Sequence, residues 1–221
     1  MVKCIQESSV HVDVNLTQDS YKRRLDPSLK VTDLIRVYDN FIPSDQCDMM
    51  VDWYESNPSL QEEGCVLDGL TGNSHTNTSF KVCKESTVDR QDILDILSES
   101  SFGVYEEAFK SGLPFPDLDR YQLCLNGYTI RRYNKNEGVF KPHIDQHSGG
   151  TQNRLFGIVI YLNDVDEGGE TEFPEWDISV SPKKGRILLF PCNFLFLHQA
   201  NVPISHDKYS ATMFINFMVT K

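Results

Sequence analysis

The chain has 221 residues, 32 acidic against 21 basic, and a formal net charge of −11. This length holds one large domain or two small ones, and such acidity argues against general binding to nucleic-acid phosphates or anionic membranes. With 39% hydrophobic and 24% charged residues, the composition is that of a folding globular chain rather than a disordered one.

No stretch approaches the ~20 apolar residues of a membrane span, and Met1 to Glu7 lacks the apolar run of a signal peptide, so the expected location is cytoplasmic. Val10, Val12, Val14 and Leu16 alternate with His11, Asp13 and Asn15; this period of two predicts a strand at 9–16 within a polar extension over 1–30. Cys47, Met50, Val51 and Tyr54 fall at helical spacing behind Pro43-Ser44. They predict a helix over 45–56 with Ser44 as N-cap and Asn57-Pro58 as its stop. Residues 61–79 are rich in Gly, Thr, Asn and Ser without periodicity and read as a long loop, of a length that often forms a lid. A second helix is expected over 89–110, where Ile93, Leu97, Val104 and Ala108 mark one face and Ser111-Gly112-Leu113-Pro114 ends it.

From Tyr121 onward, β-branched and aromatic runs at 121–133, 155–163, 186–191, 194–200 and 210–220 alternate with glycine- and proline-containing turns. Short strands at this spacing predict a sandwich or barrel. With no repeat or linker, the whole of 1–221 reads as one domain: a helical support over 33–110 and a β-rich core over 121–220. Cys4, Cys47, Cys65, Cys83, Cys124 and Cys192 form no CxxC pair, so they are expected as reduced thiols rather than a disulfide or zinc framework.

Chemistry concentrates in the core. Residues two apart on a strand share a face, so His143 and Asp145 in Lys141-Pro142-His143-Ile144-Asp145 can reach one ion. His-x-Asp alone is a weak signal, more often an ordinary surface dipeptide than a site. His198, in the apolar run 194–199, would alone read as a hydrogen-bonded core histidine. Taken with the first pair it completes two imidazoles and one carboxylate, the set that holds non-haem Fe(II) with open positions. Lys208 follows ten residues later, ahead of the apolar strand 213–219; directed inward rather than to solvent, its ammonium needs an anion.

Segment 161–174, Tyr-Leu-Asn-Asp-Val-Asp-Glu-Gly-Gly-Glu-Thr-Glu-Phe-Pro, and segment 182–190, Pro-Lys-Lys-Gly-Arg-Ile-Leu-Leu-Phe, join these residues in a pattern that resembles the 2-oxoglutarate/Fe(II)-dependent oxygenases, within them the prolyl 4-hydroxylase-like group. The likeness is most specific over 121–217, and Tyr38-Asp39-Asn40-Phe41-Ile42-Pro43 extends it to about 33–220. It implies a distorted double-stranded β-helix, or jelly roll, mainly β and buttressed by the early helices. His143, Asp145 and His198 match the iron ligands, and Lys208 the lysine that pairs with the distal carboxylate of 2-oxoglutarate. Tyr133 and Thr171 match hydroxyl residues that bind the same cosubstrate, Tyr133 with a one-residue insertion before His143. Arg154 matches an arginine implicated in holding the peptide substrate.

Some positions depart from the pattern. Tyr209 and Phe214 stand where tryptophans are common, which alters the substrate subsite, and Glu172 replaces a usual apolar residue. His147, two residues past Asp145, competes as a ligand only weakly. The retained Asp145 disfavours a halogenase.

The resemblance implies a dioxygenase using Fe(II), 2-oxoglutarate and O2, supported by ascorbate, that hydroxylates C4 of prolyl residues in a protein or peptide and releases succinate and CO2. The 61–79 loop would cover the substrate. A second reading keeps the cofactors with a free amino acid or another residue as substrate; a third is a non-catalytic jelly-roll binding module, which the intact ligand set and Lys208 disfavour. Lys208, Arg154 and Arg131-Arg132 predict a locally positive mouth on an acidic body, with a substrate neutral or basic near its target proline.

Overall fold

The computed structural model describes residues 28–68, 71, 73–112, 122–147 and 150–218. The strand expected at 9–16 lies outside the described residues. Helix α1 spans Ser44–Ser56 and α2 spans Gln91–Lys110, each within two residues of expectation. Ser44 is the first helical residue rather than the cap. Pro43 occupies the cap position, and its carbonyl accepts the Cys47 N–H at 3.2 Å to close the first turn.

Strands form two antiparallel sheets and a hairpin. The larger sheet runs β1 (Arg36–Tyr38), β12 (Ile187–Pro191), β9 (Arg154–Tyr161), β14 (Lys208–Phe217), β7 (Leu123–Tyr133), β6 (Lys84–Thr87) and β2 (Glu62–Glu63). The smaller runs β11 (Ile178–Val180), β10 (Thr171–Phe173), β13 (His198–Ala200), β8 (Val139–His143) and β5 (Lys81–Val82). A separate hairpin pairs β3 (Cys65–Leu67) with β4 (Ser74–Thr76). This is a jelly roll with helices on one face, mainly β as the sequence predicts.

Alternation along the central strands separates two environments. Ile158 and Ile160 of β9, Ile187 and Leu189 of β12, and Ala211, Met213 and Ile215 of β14 pack in one buried cluster with Met50 and Tyr54 of α1 and Ile93, Leu97 and Val104 of α2. The intervening positions face the smaller sheet: Tyr161, Leu188 and Phe190 pack on Phe173 and Val180. Each large apolar side chain so buried contributes about 1.5–3 kcal/mol relative to exposure. Toward the open end that inner face becomes polar, with Lys208, Ser210 and Thr212 buried on β14.

Several expectations change. The 61–79 segment is not a plain loop, because β2, β3 and β4 fall within it; their short polar strands carry no clean period. The run 194–200 is a strand only over His198–Ala200, since Asn193 turns the chain by accepting the Leu195 and Phe196 N–H groups. The 33–110 segment supplies more than helices: β5 and β6 extend both sheets. Among the described residues no helix is long and apolar enough to cross a membrane.

Gly185 ties the N-terminal segment to the sheet. Its φ is +77°, its carbonyl accepts the Phe41 and Ile42 N–H groups, and an added Cβ would lie 2.3 Å from the Ile42 carbonyl oxygen. Gly185→Ala therefore forces both a disfavoured backbone and a clash, a loss of about 2 kcal/mol or more. Thermal unfolding should report a Tm lower by at least ~4 °C for a chain of this size; an unchanged Tm would show that this turn relaxes freely.

Candidate active site

His143 ends β8 and His198 begins β13, and the two are direct partners across the smaller sheet. Their rings lie 4.3 Å apart. His143 Nδ1 sits 2.8 Å from the Lys141 carbonyl and His198 Nδ1 3.0 Å from the Phe196 carbonyl. A carbonyl only accepts, so each Nδ1 carries the hydrogen and each Nε2 keeps its lone pair. Those lone pairs face Asp145, with Nε2 to carboxylate distances of 3.8 Å for His143 and 3.5 Å for His198. The groups converge without consuming one another.

Asp145 does not lie on the strand, as a shared-face argument requires. β8 ends at His143, and Asp145 sits in a bend just beyond it. Room for its carboxylate comes from Gly157 on β9, where a Cβ would stand 2.8 Å from the Phe190 ring and 3.2 Å from Asp145 Oδ2. Burial, reinforced by His198, brings the His143 pKa down to about 3, leaving a neutral imidazole. Burial pushes Asp145 up, but His198, His143 and Arg154 outweigh it and hold the carboxyl below its ordinary value. Two imidazole lone pairs and one carboxylate, with ligand atoms all within 4.8 Å of one another, fit a divalent first-row ion such as Fe(II). His147 lines the cavity but stands outside this cluster.

The same cavity, of about 480 Å³, is lined by Lys208, Tyr133, Thr171, Arg154 and Phe214. Lys208 opens β14 directly opposite Tyr133 on β7. It is 1% exposed, and its ammonium donates to the Gly169 carbonyl at 2.7 Å, with the Tyr133 and Tyr161 rings 5.2 and 5.4 Å away. Among the described residues no carboxylate pairs with it, and burial lowers its pKa to about 7. Such a cation calls for an anionic ligand, and a dicarboxylate that also reaches the metal fits. The Tyr161 hydroxyl donates to Thr171 Oγ1 at 2.8 Å, leaving the threonine O–H free to donate into the cavity. Burial raises the Tyr133 hydroxyl well above its ordinary value, so it remains a donor.

Arg154 lies flat over Phe214 at 3.6 Å and donates to the Asp145 carbonyl at 3.2 Å. Tyr209 is not part of the cavity. It alternates to the helix side of β14, donates to Glu55 at 2.8 Å and packs on Tyr54. Arg132 likewise turns outward to Glu55. Two features escaped the sequence: Phe140 stacks on His143 at 3.6 Å, and Lys81 and Glu85 join the expected Arg131 in the cavity lining. Phe140, three residues before His143, was the nearest legible signal; Lys81 and Glu85 come from strands other than that of Arg131 and left none.

Residues 128–216 match the sequence model of the 2OG-Fe(II) oxygenase superfamily. The chain is 30% identical over 172 residues to probable prolyl 4-hydroxylase 11 of Arabidopsis thaliana, covering 70% of this chain and 54% of that protein. It thus spans about half the length of the curated relatives it matches. Among solved structures, it resembles the viral collagen prolyl hydroxylase of Paramecium Bursaria Chlorella virus-1 in its 2-oxoglutarate complex, with TM-score 0.59 and 17% identity over 84% of this chain and 97% of that one. A prolyl hydroxylase in complex with a hypoxia inducible factor peptide fragment, from Trichoplax adhaerens, gives 0.59 and 17% over 84% of each chain.

Anaerobic titration with Fe(II) should give one ion per chain, and His198→Ala should weaken it by about 100-fold or more, since even the partners of ligands contribute 10–100-fold. Undiminished binding by the variant would remove His198 from the ligand set.

Proposed function

Because the chain belongs to the 2OG-Fe(II) oxygenase superfamily, we propose that it is a dioxygenase hydroxylating C4 of prolyl residues in a protein or peptide, with 2-oxoglutarate converted to succinate and CO2. The observation that carries this is the single cavity joining the His143, Asp145 and His198 cluster to the buried Lys208 ammonium. The prolyl 4-hydroxylase relatives, and the peptide in one structural neighbour, support proline in a peptide as the substrate.

Iron, when bound, supplies the oxidising chemistry: one atom of O2 enters succinate, the other enters the substrate C–H bond, and ascorbate keeps the metal reduced. The protein positions and excludes. His143 and His198, fixed through their Nδ1 hydrogen bonds, and Asp145 hold the metal. Lys208 neutralises the remote carboxylate of 2-oxoglutarate while Thr171 and Tyr133 donate hydrogen bonds to it. Val66, Leu67 and Ser74 of the β3–β4 hairpin form one wall over the substrate, and Arg154 with Phe214 forms another.

Incubation of proline-containing peptides with the protein, Fe(II), 2-oxoglutarate and ascorbate should yield products heavier by one oxygen at proline C4, read by mass spectrometry and fragmentation. His143→Ala should reduce both this product and succinate to background. Succinate formation undiminished in that variant would make the iron assignment wrong.

Lys208 sets a pH signature. The free site releases its proton near pH 7, whereas a bound carboxylate returns the ammonium toward its ordinary range. Above about pH 7 binding must therefore take up a proton, and affinity falls by up to roughly tenfold per pH unit. Calorimetry of 2-oxoglutarate binding at about pH 8 in buffers of different ionisation enthalpy should show that uptake, and Lys208→Arg, always charged, should abolish it. Equal heats across buffers for the wild type would contradict the buried-ammonium role.

A further inference from the structure

The cavity lining carries more positive charge than 2-oxoglutarate accounts for. Among the described residues lining the cavity, four are cationic, Lys81, Arg131, Arg154 and Lys208, and two are carboxylates, Glu85 and Asp145. A bound Fe(II) and a doubly charged 2-oxoglutarate cancel each other and leave the excess standing. Lys208 is met by the cosubstrate, and Arg154 is covered by Phe214 and the Asp145 carbonyl. Arg154 keeps one of the two excess charges, and Lys81 with Arg131, sharing the single carboxylate of Glu85, keep the other.

Both cations use the same carboxylate oxygen. Lys81 Nζ lies 2.7 Å and Arg131 Nε 2.9 Å from Glu85 Oε2. Among the described residues no other carboxylate lies within ion-pair distance of either. Glu85 Oε1 accepts the Cys65 N–H at 3.1 Å and Lys81 donates to the Cys65 carbonyl at 3.0 Å, so these two hold both backbone groups of the hairpin's first residue. That tether needs only one cation. Arg131, paired across strands with Glu85, adds a second charge with no second anion.

The placement is close to the chemistry. Lys81 lies opposite Phe140 between β5 and β8, its ammonium 5.0 Å from that ring, and Phe140 stacks on His143 at 3.6 Å. One aromatic ring separates Lys81 from His143.

We propose that Lys81 and Arg131 form a carboxylate subsite for the substrate, so that the preferred target carries an Asp or Glu beside the proline or presents a free α-carboxylate. This rests on the hydroxylase reading and deepens it, and it reverses the substrate charge expected from the acidic surface. Surface repulsion acts over a Debye length of about 8 Å at physiological ionic strength, whereas the subsite acts at contact.

The test measures binding apart from turnover, with protein loaded anaerobically with Fe(II) and 2-oxoglutarate. Three fluorescent peptides are compared: proline flanked by Ala with an amidated terminus, the same with Asp flanking, and the Ala sequence ending in proline with a free carboxylate. One or both carboxylate peptides should bind about tenfold more tightly than the neutral one. The third peptide, together with competition by free proline, separates side-chain from α-carboxylate recognition. Arg131→Gln should bring the ratio toward one. Glu85→Gln should raise it, because the competing anion is gone even though the hairpin loosens. Lys81→Met serves as a second neutralising variant should Arg131→Gln not fold.

Equal affinities in the wild type, or Arg131→Gln and Glu85→Gln lowering the ratio alike as a structural role would, overturn the subsite. A persistent carboxylate preference with no oxygen added to any proline would instead overturn the hydroxylase reading and leave the subsite standing.

Discussion

Positive charge buried without a matching buried anion is the constraint around which this molecule is built. Burial holds Lys81, Arg154 and Lys208 below their ordinary pKa values, and the carboxylates near them are too few to restore them. In a chain of net charge −11 this is not a shortage of acidic residues. It is a matter of where they stand, because Asp and Glu are spread over the surface while the cavity is left with two. Desolvating an unpaired ammonium is unfavourable in folding. A ligand that brings the missing charge recovers that free energy as affinity and is selected for being anionic.

The larger sheet makes this arrangement affordable by keeping two environments apart within single strands. On β14 the residues turned to the helices are Tyr209, Ala211, Met213 and Ile215; those turned to the cavity are Lys208, Ser210, Thr212 and Phe214. A slip of one residue would exchange the sets, placing Lys208 among α1 and α2 and Met213 in the cavity. Apolar packing against the helices therefore fixes the register that puts Lys208 opposite Tyr133. It also explains why Tyr209, beside the cosubstrate lysine in sequence, serves the helix interface.

Legibility in the sequence followed the length over which each signal repeats. Both helices were readable because the spacing of Cys47, Met50 and Tyr54, and of Ile93, Leu97, Val104 and Ala108, repeats over several turns and matches burial. The candidate metal-binding residues and Lys208 were readable because specific spacing and flanking motifs joined them. Strands of two or three residues, such as β2 to β5, were not: a period of two cannot be established over so few positions. The grouping of Lys81 and Glu85 with Arg131 was invisible for a different reason. Its members come from three strands, and only the pairing of β6 with β7 and the turn of β5 toward β8 bring them together.

Asp145 shows how a ligand off a strand is still held. The loop that carries it is closed by its own polar groups: the Gln146 side chain donates to the Gln152 and Arg154 carbonyls, the Gln146 N–H donates to Cys192, and Thr151 exchanges hydrogen bonds with the His147 backbone. Arg154 completes this closure by donating to the Asp145 carbonyl while lying on Phe214. A guanidinium stacked on a ring and hydrogen-bonded to a carbonyl is held in place. The residue expected to hold substrate thus also braces Asp145. A substrate that contacted Arg154 would therefore act on the same unit that positions Asp145, because one guanidinium holds both the Phe214 ring and the Asp145 carbonyl.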